Sequence, residues 1–348
     1  MPHNISRRDT FKLALLGLGG LAWRPLAQRV ATPATPFIGL ARITVRVVHV
    51  HREPDFRSPR TDSFKRDQII RILAETISPY GPRYNPRWYR VESGYLHTAY
   101  TQRVALRLNP VVTNIPESGR VAEVTVPYTQ SWQRLPGGQR KRLYRLYYGS
   151  VHWVTAVKLG DHGEPIYEIT DDLLKVTYEV YAPHLRLIPP EEMTPLSPDV
   201  PPGAKSIEVD LKTQEVIAYE GSTEVFRTKI SSGIPSDAPT DNGIPTRTPS
   251  GHFRVFVKAP ARHMGDGNLA SSLEAYELPG VPWVSFFVKT GVAFHGTYWH
   301  DNFGHSMSHG CINMTNADAL WLFRWTTPAY TPLDFDAKGN GTRVWVHE

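Results

Sequence analysis

Proline placement limits this chain more than any other feature. Pro189, Pro190, Pro195, Pro198, Pro201 and Pro202 crowd residues 189–203. Each lacks an amide hydrogen and fixes its φ, so no helix or inner strand persists there. The stretch is expected to be a stiff, extended spacer between domains. Across 348 residues the sequence carries 30 prolines and 26 glycines. Long helical patterns are scarce between them, and short runs rich in Val, Ile, Tyr and Thr point to a mostly β protein. At 41% hydrophobic and 21% charged it can bury real cores, which excludes global disorder.

Upstream of the spacer, Ile43, Val45 and Val47 alternate with Thr44, Arg46 and Val48 in a strand-like period. Trp88–Val91 and Tyr95–Thr98 flank a Ser93-Gly94 turn, as in a hairpin. These runs define a first β domain at residues 41–110. A second, at 118–188, is expected from Val121–Val126, Leu143–Tyr148, Val151–Val157 and Val176–Tyr181. Residues 204–348 form a third unit, with strands at Ser206–Leu211, Glu215–Tyr219, Val225–Ile230, Phe253–Val257, Trp283–Val288 and Gly291–His295. One helix is expected there: Thr315 can cap it, Asp318 stands three places on, and Ala317, Leu320, Trp321 and Arg324 recur at helical spacing.

Residues 1–27 read as an export signal or membrane anchor, followed by a linker at 28–40. Ser6-Arg7-Arg8-Asp9-Thr10-Phe11-Lys12 ahead of an apolar run from Leu13 to Trp23 resembles a twin-arginine signal. The run is about half the ~20 residues a spanning helix needs. The chain is therefore expected in the cell envelope, in the periplasm or cell wall. Its net charge of +6 is scattered, and it singles out no nucleic-acid partner. A single cysteine excludes an internal disulfide, and a lone thiol in an exported protein is a liability unless buried or used. Cys311 sits among polar residues and glycine, which argues for use.

The chemistry concentrates between His295 and Asn313. There the chain reads His295-Gly296-Thr297-Tyr298-Trp299-His300, continues to His305, and then runs Ser308-His309-Gly310-Cys311-Ile312-Asn313. A thiol becomes a nucleophile when a histidine within reach accepts its proton. This pattern resembles the YkuD-type L,D-transpeptidases, whose signature is a histidine, a loop, Ser/Thr-His-Gly-Cys, a hydrophobic residue and Asn or Arg. Thr246-Arg247-Thr248-Pro249-Ser250-Gly251-His252-Phe253 is similar to that family's Thr-Pro-x-Gly-x-Phe segment. The resemblance implies a β-sandwich catalytic domain with a helix after the nucleophile. It implies Cys311 as nucleophile, His295 as proton acceptor and donor, and the Gly296 carbonyl orienting His295. His309 and Gly310 would serve the oxyanion hole, and Ser308, Asn313, Tyr298 and Trp299 would meet substrate. Met264–Pro279 would be a lid over the site. The implied substrate is the stem peptide of peptidoglycan, and no cofactor is needed.

Val50-His51-Arg52-Glu53-Pro54, Trp88-Tyr89-Arg90-Val91 and Gly94-Tyr95-Leu96-His97 resemble bacterial SH3-like wall modules. One or two SH3-like β-barrels are thus expected at 41–188, binding wall polymer. Competing readings are an L,D-carboxypeptidase on the same substrate and a non-catalytic wall-binding scaffold. A zinc site built from His295, His300, His305, His309 and Cys311 is disfavoured, because the spacing fits no single helix or strand face.

Overall fold

The computed structural model describes residues 36–236, 246–265, 277–332 and 334–348. The expected signal at 1–27, most of the expected linker at 28–40 and the central part of the expected lid lie outside the described residues. Among the described residues no helix is long and apolar enough to cross a membrane.

Period-two burial builds the C-terminal part. Strand Lys205–Asp210 turns Ile207 and Val209 inward and Ser206 and Glu208 outward. It pairs antiparallel with Glu215–Glu220 and parallel with Arg343–His347. Thr223–Lys229 and Gly251–Arg254 form the edges of this five-stranded sheet. A second five-stranded sheet runs Ile312–Met314, Ala293–Gly296, Glu277–Phe286, Val257–Gly265 and Ala337–Lys338. Ile207, Val209, Val344 and Val346 of the first sheet share one apolar cluster with Phe294, Ile312 and Met314 of the second. The result is a β-sandwich.

Helix Asn316–Trp325 closes this core. The Thr315 side chain accepts the Asp318 amide hydrogen at 3.1 Å, as a helix cap should. Its buried stripe is Ala319, Leu322, Phe323 and Trp325. The stripe expected from the sequence is displaced: Ala317 is exposed, and Trp321 is only half-buried because it stacks flat on Phe226 at 4.2 Å. At the far end, Lys205 Nζ donates to Trp325 O at 3.0 Å and Lys258 Nζ to Thr326 O at 2.7 Å.

Upstream, strands from Gly39 to Val104 form a three-stranded and a five-stranded antiparallel sheet around Ile43, Val50, Ile72 and Leu96. Arg120–Val124 through Leu185–Leu187 form a seven-stranded sheet with Val154, Tyr167 and Tyr178 at its centre. Val121, Val151 and Trp153 of that sheet, however, sit in the sandwich's own apolar cluster.

The proline-rich stretch also differs from the extended spacer expected. It makes short 3-10 turns at Pro190–Met193 and Pro202–Ala204. Met193 is buried in the sandwich cluster, and Leu196 N–H donates to Arg324 O at 3.0 Å. Burial at roughly 1.5–3 kcal/mol per large apolar side chain favours this docking over free extension. Proline forbids regular ladders, but it does not forbid packing. Accordingly residues 37–348 form one compact unit.

Buried polar groups reinforce that unit. His263 donates from Nδ1 to Asp171 at 2.7 Å and from Nε2 to Glu277 at 2.7 Å. Burial works against its charge, but hydrogen bonds and attraction to both carboxylates carry its pKa above the usual histidine value. Burial dominates elsewhere, lowering His295 to about 4 and His152 and His300 to about 3.

These lowered values fix an acid response. Below the unfolded-chain pKa of about 6.5, unfolded chains bind protons that these folded residues refuse. Each contributes a slope of up to about 1.4 kcal/mol per pH unit within that window, and stability is lost as pH falls. His263 contributes in the opposite sense. The thermal midpoint should therefore drop between pH 7 and 5, and an unchanged midpoint in calorimetry would contradict neutral burial of these imidazoles.

Candidate active site

Two parallel strands set the geometry. Ala293–Gly296 pairs with Ile312–Met314 in the register Phe294↔Ile312, His295↔Asn313 and Gly296↔Met314. Parallel neighbours cannot be joined by a tight turn. Here the connection is an irregular loop, and its far end delivers Cys311 beside the strand that carries His295. A cavity of about 260 Å³ opens there, lined by His295, Cys311, Trp299, Ser308, His309 and Asn313, with Met264, Leu278 and Met307.

His295 is 2% exposed, and its Nδ1–H donates to the Gly296 carbonyl at 2.9 Å. That bond fixes the tautomer, so the Nε2 lone pair is the basic site. Burial keeps the imidazole neutral, only partly offset by the Gly296 carbonyl. Cys311 is partly exposed, and its Sγ–H points to Gly291 O at 3.7 Å. The dense surroundings of the sulfur push the thiol up to about 11, with a small opposing pull from the Ala293 backbone. The resting pair is thus a neutral thiol and a neutral imidazole.

The loop before Cys311 is held from within. Ser308 Oγ donates to Cys311 O at 2.5 Å and accepts the Gly310 N–H at 3.1 Å. Gly310 has φ 112°, a conformation that glycine adopts without strain. Thr248 Oγ1 donates to Gly310 O at 2.7 Å and accepts the Gly233 N–H at 2.8 Å. Thr248, in the Thr-Pro-x-Gly-x-Phe segment noted in the sequence, therefore braces the loop before Cys311.

Of the residues singled out from sequence, Cys311, His295, Ser308, His309, Asn313 and Trp299 meet at the cavity, and Gly296 lies directly behind His295. Tyr298 does not line it. It is 2% exposed, its hydroxyl donates to Pro279 O at 3.0 Å, and its carbonyl accepts from Arg42 Nη2 at 2.8 Å. Among the described residues no three His, Cys, Asp or Glu converge on a metal position. His305 instead stacks on Tyr84 at 4.7 Å.

Sequence reading missed the residues that hold the loop from outside. Asn85 Nδ2 donates to Asp301 O at 2.8 Å, Arg87 pairs with Asp301 at 2.8 Å, and the Asp301 N–H donates to Ala99 O at 2.9 Å. No local signal marks these residues, since each lies some 200 positions from its partner.

The β-sandwich thus holds a cysteine and a tautomer-fixed histidine in one cleft. Residues 204–346 match the family of the YkuD L,D-transpeptidase catalytic domain, and this part of the chain is such a domain. The curated "Putative L,D-transpeptidase YciB" of Bacillus subtilis (strain 168) is 27% identical over 136 residues, covering 36% of this chain. The chain spans 63% of that relative's length. Among solved structures, the catalytic domain of the Enterococcus faecium L,D-transpeptidase is 29% identical, covering 41% of this chain and 96% of that one, with a TM-score of 0.29. An L,D-transpeptidase from Mycobacterium smegmatis is 17% identical, covering 72% and 92%, with a TM-score of 0.32.

Gly233 offers a test of the brace. A Cβ there would meet Thr246 O at 2.0 Å, Thr248 N at 2.7 Å and Gly310 Cα at 2.8 Å. Gly233→Ala should cost about 2 kcal/mol, as overpacking does, and should alter the alkylation rate of Cys311 by iodoacetamide. An unchanged denaturation midpoint and rate would mean that the contact is slack.

Proposed function

We propose that the protein is a peptidoglycan L,D-transpeptidase working through a thioester on Cys311. The observation that carries this reading is the shared cavity of Cys311 and His295, with Nδ1–H of His295 committed to Gly296 and Nε2 left basic. A stem tetrapeptide enters with the carbonyl before its terminal D-residue against Sγ. As sulfur attacks, the thiol proton passes to His295 Nε2, and negative charge gathers on the carbonyl oxygen. Backbone donors aimed at that oxygen contribute most to such steps. The Gly310 N–H is engaged by Ser308 Oγ, so the Cys311 N–H is the donor this reading relies on.

Collapse of the tetrahedral intermediate breaks the amide bond. The terminal D-residue leaves as an amine, taking the proton back from His295. The side-chain amine of a neighbouring stem's third residue then attacks the thioester, forming a 3→3 cross-link and restoring the thiol. Water in place of that amine would give carboxypeptidase action by the same machinery. Trp299 and Asn313 would meet the bound stem, and His309 would shape the oxyanion side.

Export by a twin-arginine route, and binding of wall polymer by SH3-like modules within 41–188, belong to the same proposal. A second contact to the wall would raise the local concentration of stems. The shared core with the sandwich bears on how such modules act: they would orient the catalytic cleft on the wall rather than tether it loosely.

Intact-protein mass after incubation with a disaccharide-tetrapeptide tests the reading. A thioester adduct should form on the native chain and vanish in Cys311→Ala; no adduct on the native chain across several stems would sink it. The pH dependence gives a second test. The reacting pair is neutral from about pH 4, where His295 takes a proton, to about 11, where the thiol loses one. Acylation kcat/KM should be level through neutrality and decline as pH approaches the His295 value. A steep rise around neutrality would instead reveal a titrating thiolate.

A further inference from the structure

His300 looks at first like a loop residue, yet it is 5% exposed and lies against the site. Its Nδ1 accepts the backbone N–H of Asn302 at 3.2 Å. A ring nitrogen that accepts from a backbone amide carries no proton, so in the neutral ring the proton sits on Nε2. Burial, with His295 nearby, keeps that ring neutral.

The consequence falls on Asn313. Its Nδ2 stands 2.9 Å from His300 Nε2. Two N–H groups would then face each other, which no hydrogen bond permits. A half-turn of the carboxamide leaves its outline unchanged and brings Oδ1 to the Nε2–H. The other amide position, now occupied by Asn313 Oδ1, is buried without a partner among the described residues. After the turn that position holds an NH2 group with hydrogens to donate. Asn313 is 1% exposed, lines the cavity, and sits opposite His295 in the strand register.

What fixes His300 comes from far upstream. Asn302 Oδ1 accepts from Asn85 Nδ2 at 3.2 Å, and Ser231 Oγ donates to Asn302 O at 2.9 Å. With Asp301 tied to Arg87 and Ala99, the Asn302 N–H has one direction to point, and that direction selects the His300 tautomer.

We propose that His300 is a positioning residue: its Nε2–H holds the Asn313 amide in one orientation at the cavity wall, and binding of the stem peptide depends on that orientation. The inference rests on the stem-peptide reading above for its ligand, but not for its hydrogen-bond geometry.

Substitutions that keep one half of the ring's role separate this from simple support. His300→Asn retains an acceptor for the Asn302 N–H and removes the donor to Asn313. His300→Gln places an amide NH2 near the former Nε2 and should restore function. With a disaccharide-tetrapeptide as substrate, His300→Asn should raise KM roughly tenfold, the usual effect of leaving one buried polar group unpaired. Alkylation of Cys311 by iodoacetamide should stay at the native rate. Combining it with Asn313→Ala should add little to the single loss, because the two residues act in series. Nitrogen-15 spectra of the histidine-labelled native chain should show an unprotonated Nδ1 and a protonated Nε2 at His300. A protonated Nδ1, equal losses in the Asn and Gln variants, or full additivity with Asn313→Ala would overturn the proposal. Should the native chain form no adduct with any stem, the functional reading fails, while the tautomer spectrum still decides the geometry at His300.

Discussion

The parallel pairing of Ala293–Gly296 with Ile312–Met314 is the constraint on which the rest of the site depends. It places a histidine and a cysteine side by side while leaving a long crossover between them. Crossovers in parallel sheets are usually helices, which satisfy their own backbone. This one is irregular, so its polar groups need partners from elsewhere. Ser231, Ser232 and Thr248 supply some from within the sandwich, and Arg42, Asn85 and Ala99 supply others from the first β region of the described chain. A loop that must be held from outside makes its neighbours part of the site.

Much of this was legible in the sequence, and the boundary of legibility has a physical cause. Period-two alternation revealed Lys205–Asp210 and Glu215–Glu220, and the Thr315 cap with Asp318 marked the start of the helix. His295 and Cys311 were readable because their motif is local and chemically unusual. The spacing that marked the helix did not single out its buried face, Ala319, Leu322, Phe323 and Trp325, because Trp321 stacks on Phe226 at the margin of the core. Tyr298 looked like a cleft residue, but its hydroxyl and carbonyl are both committed to structure. Composition alone made residues 189–203 a spacer, and only the packing of Met193 shows that proline-rich chain can be folded down.

The contacts between the seven-stranded sheet and the sandwich follow the same logic of shared burial. Gly280 has φ 73°, and a Cβ there would run into His152 at 2.3 Å, so the hairpin strand Glu277–Phe286 and strand Val151–Leu159 approach more closely than side chains usually allow. Around that approach, His263 binds Asp171 and Glu277, and Arg262 binds Asp172 and Asp336. Met264 and Leu278, which flank these groups in the chain, form part of the cavity wall. The strands that carry Met264 and Leu278 are thus anchored partly by Asp171, Asp172 and His152, outside residues 204–346.

Helix Asn316–Trp325 carries one further consequence. Aligned peptide units give a helix a positive pole at its start and a negative pole at its end. Here the amino groups of Lys205 and Lys258 donate to the closing carbonyls and satisfy that end. At the opening end the Asp318 carboxylate stands in the first turn, against the positive pole, and Asn316 packs against Gly296, the residue whose carbonyl binds His295. The element that closes the apolar core therefore also backs the carbonyl that sets the tautomer of His295.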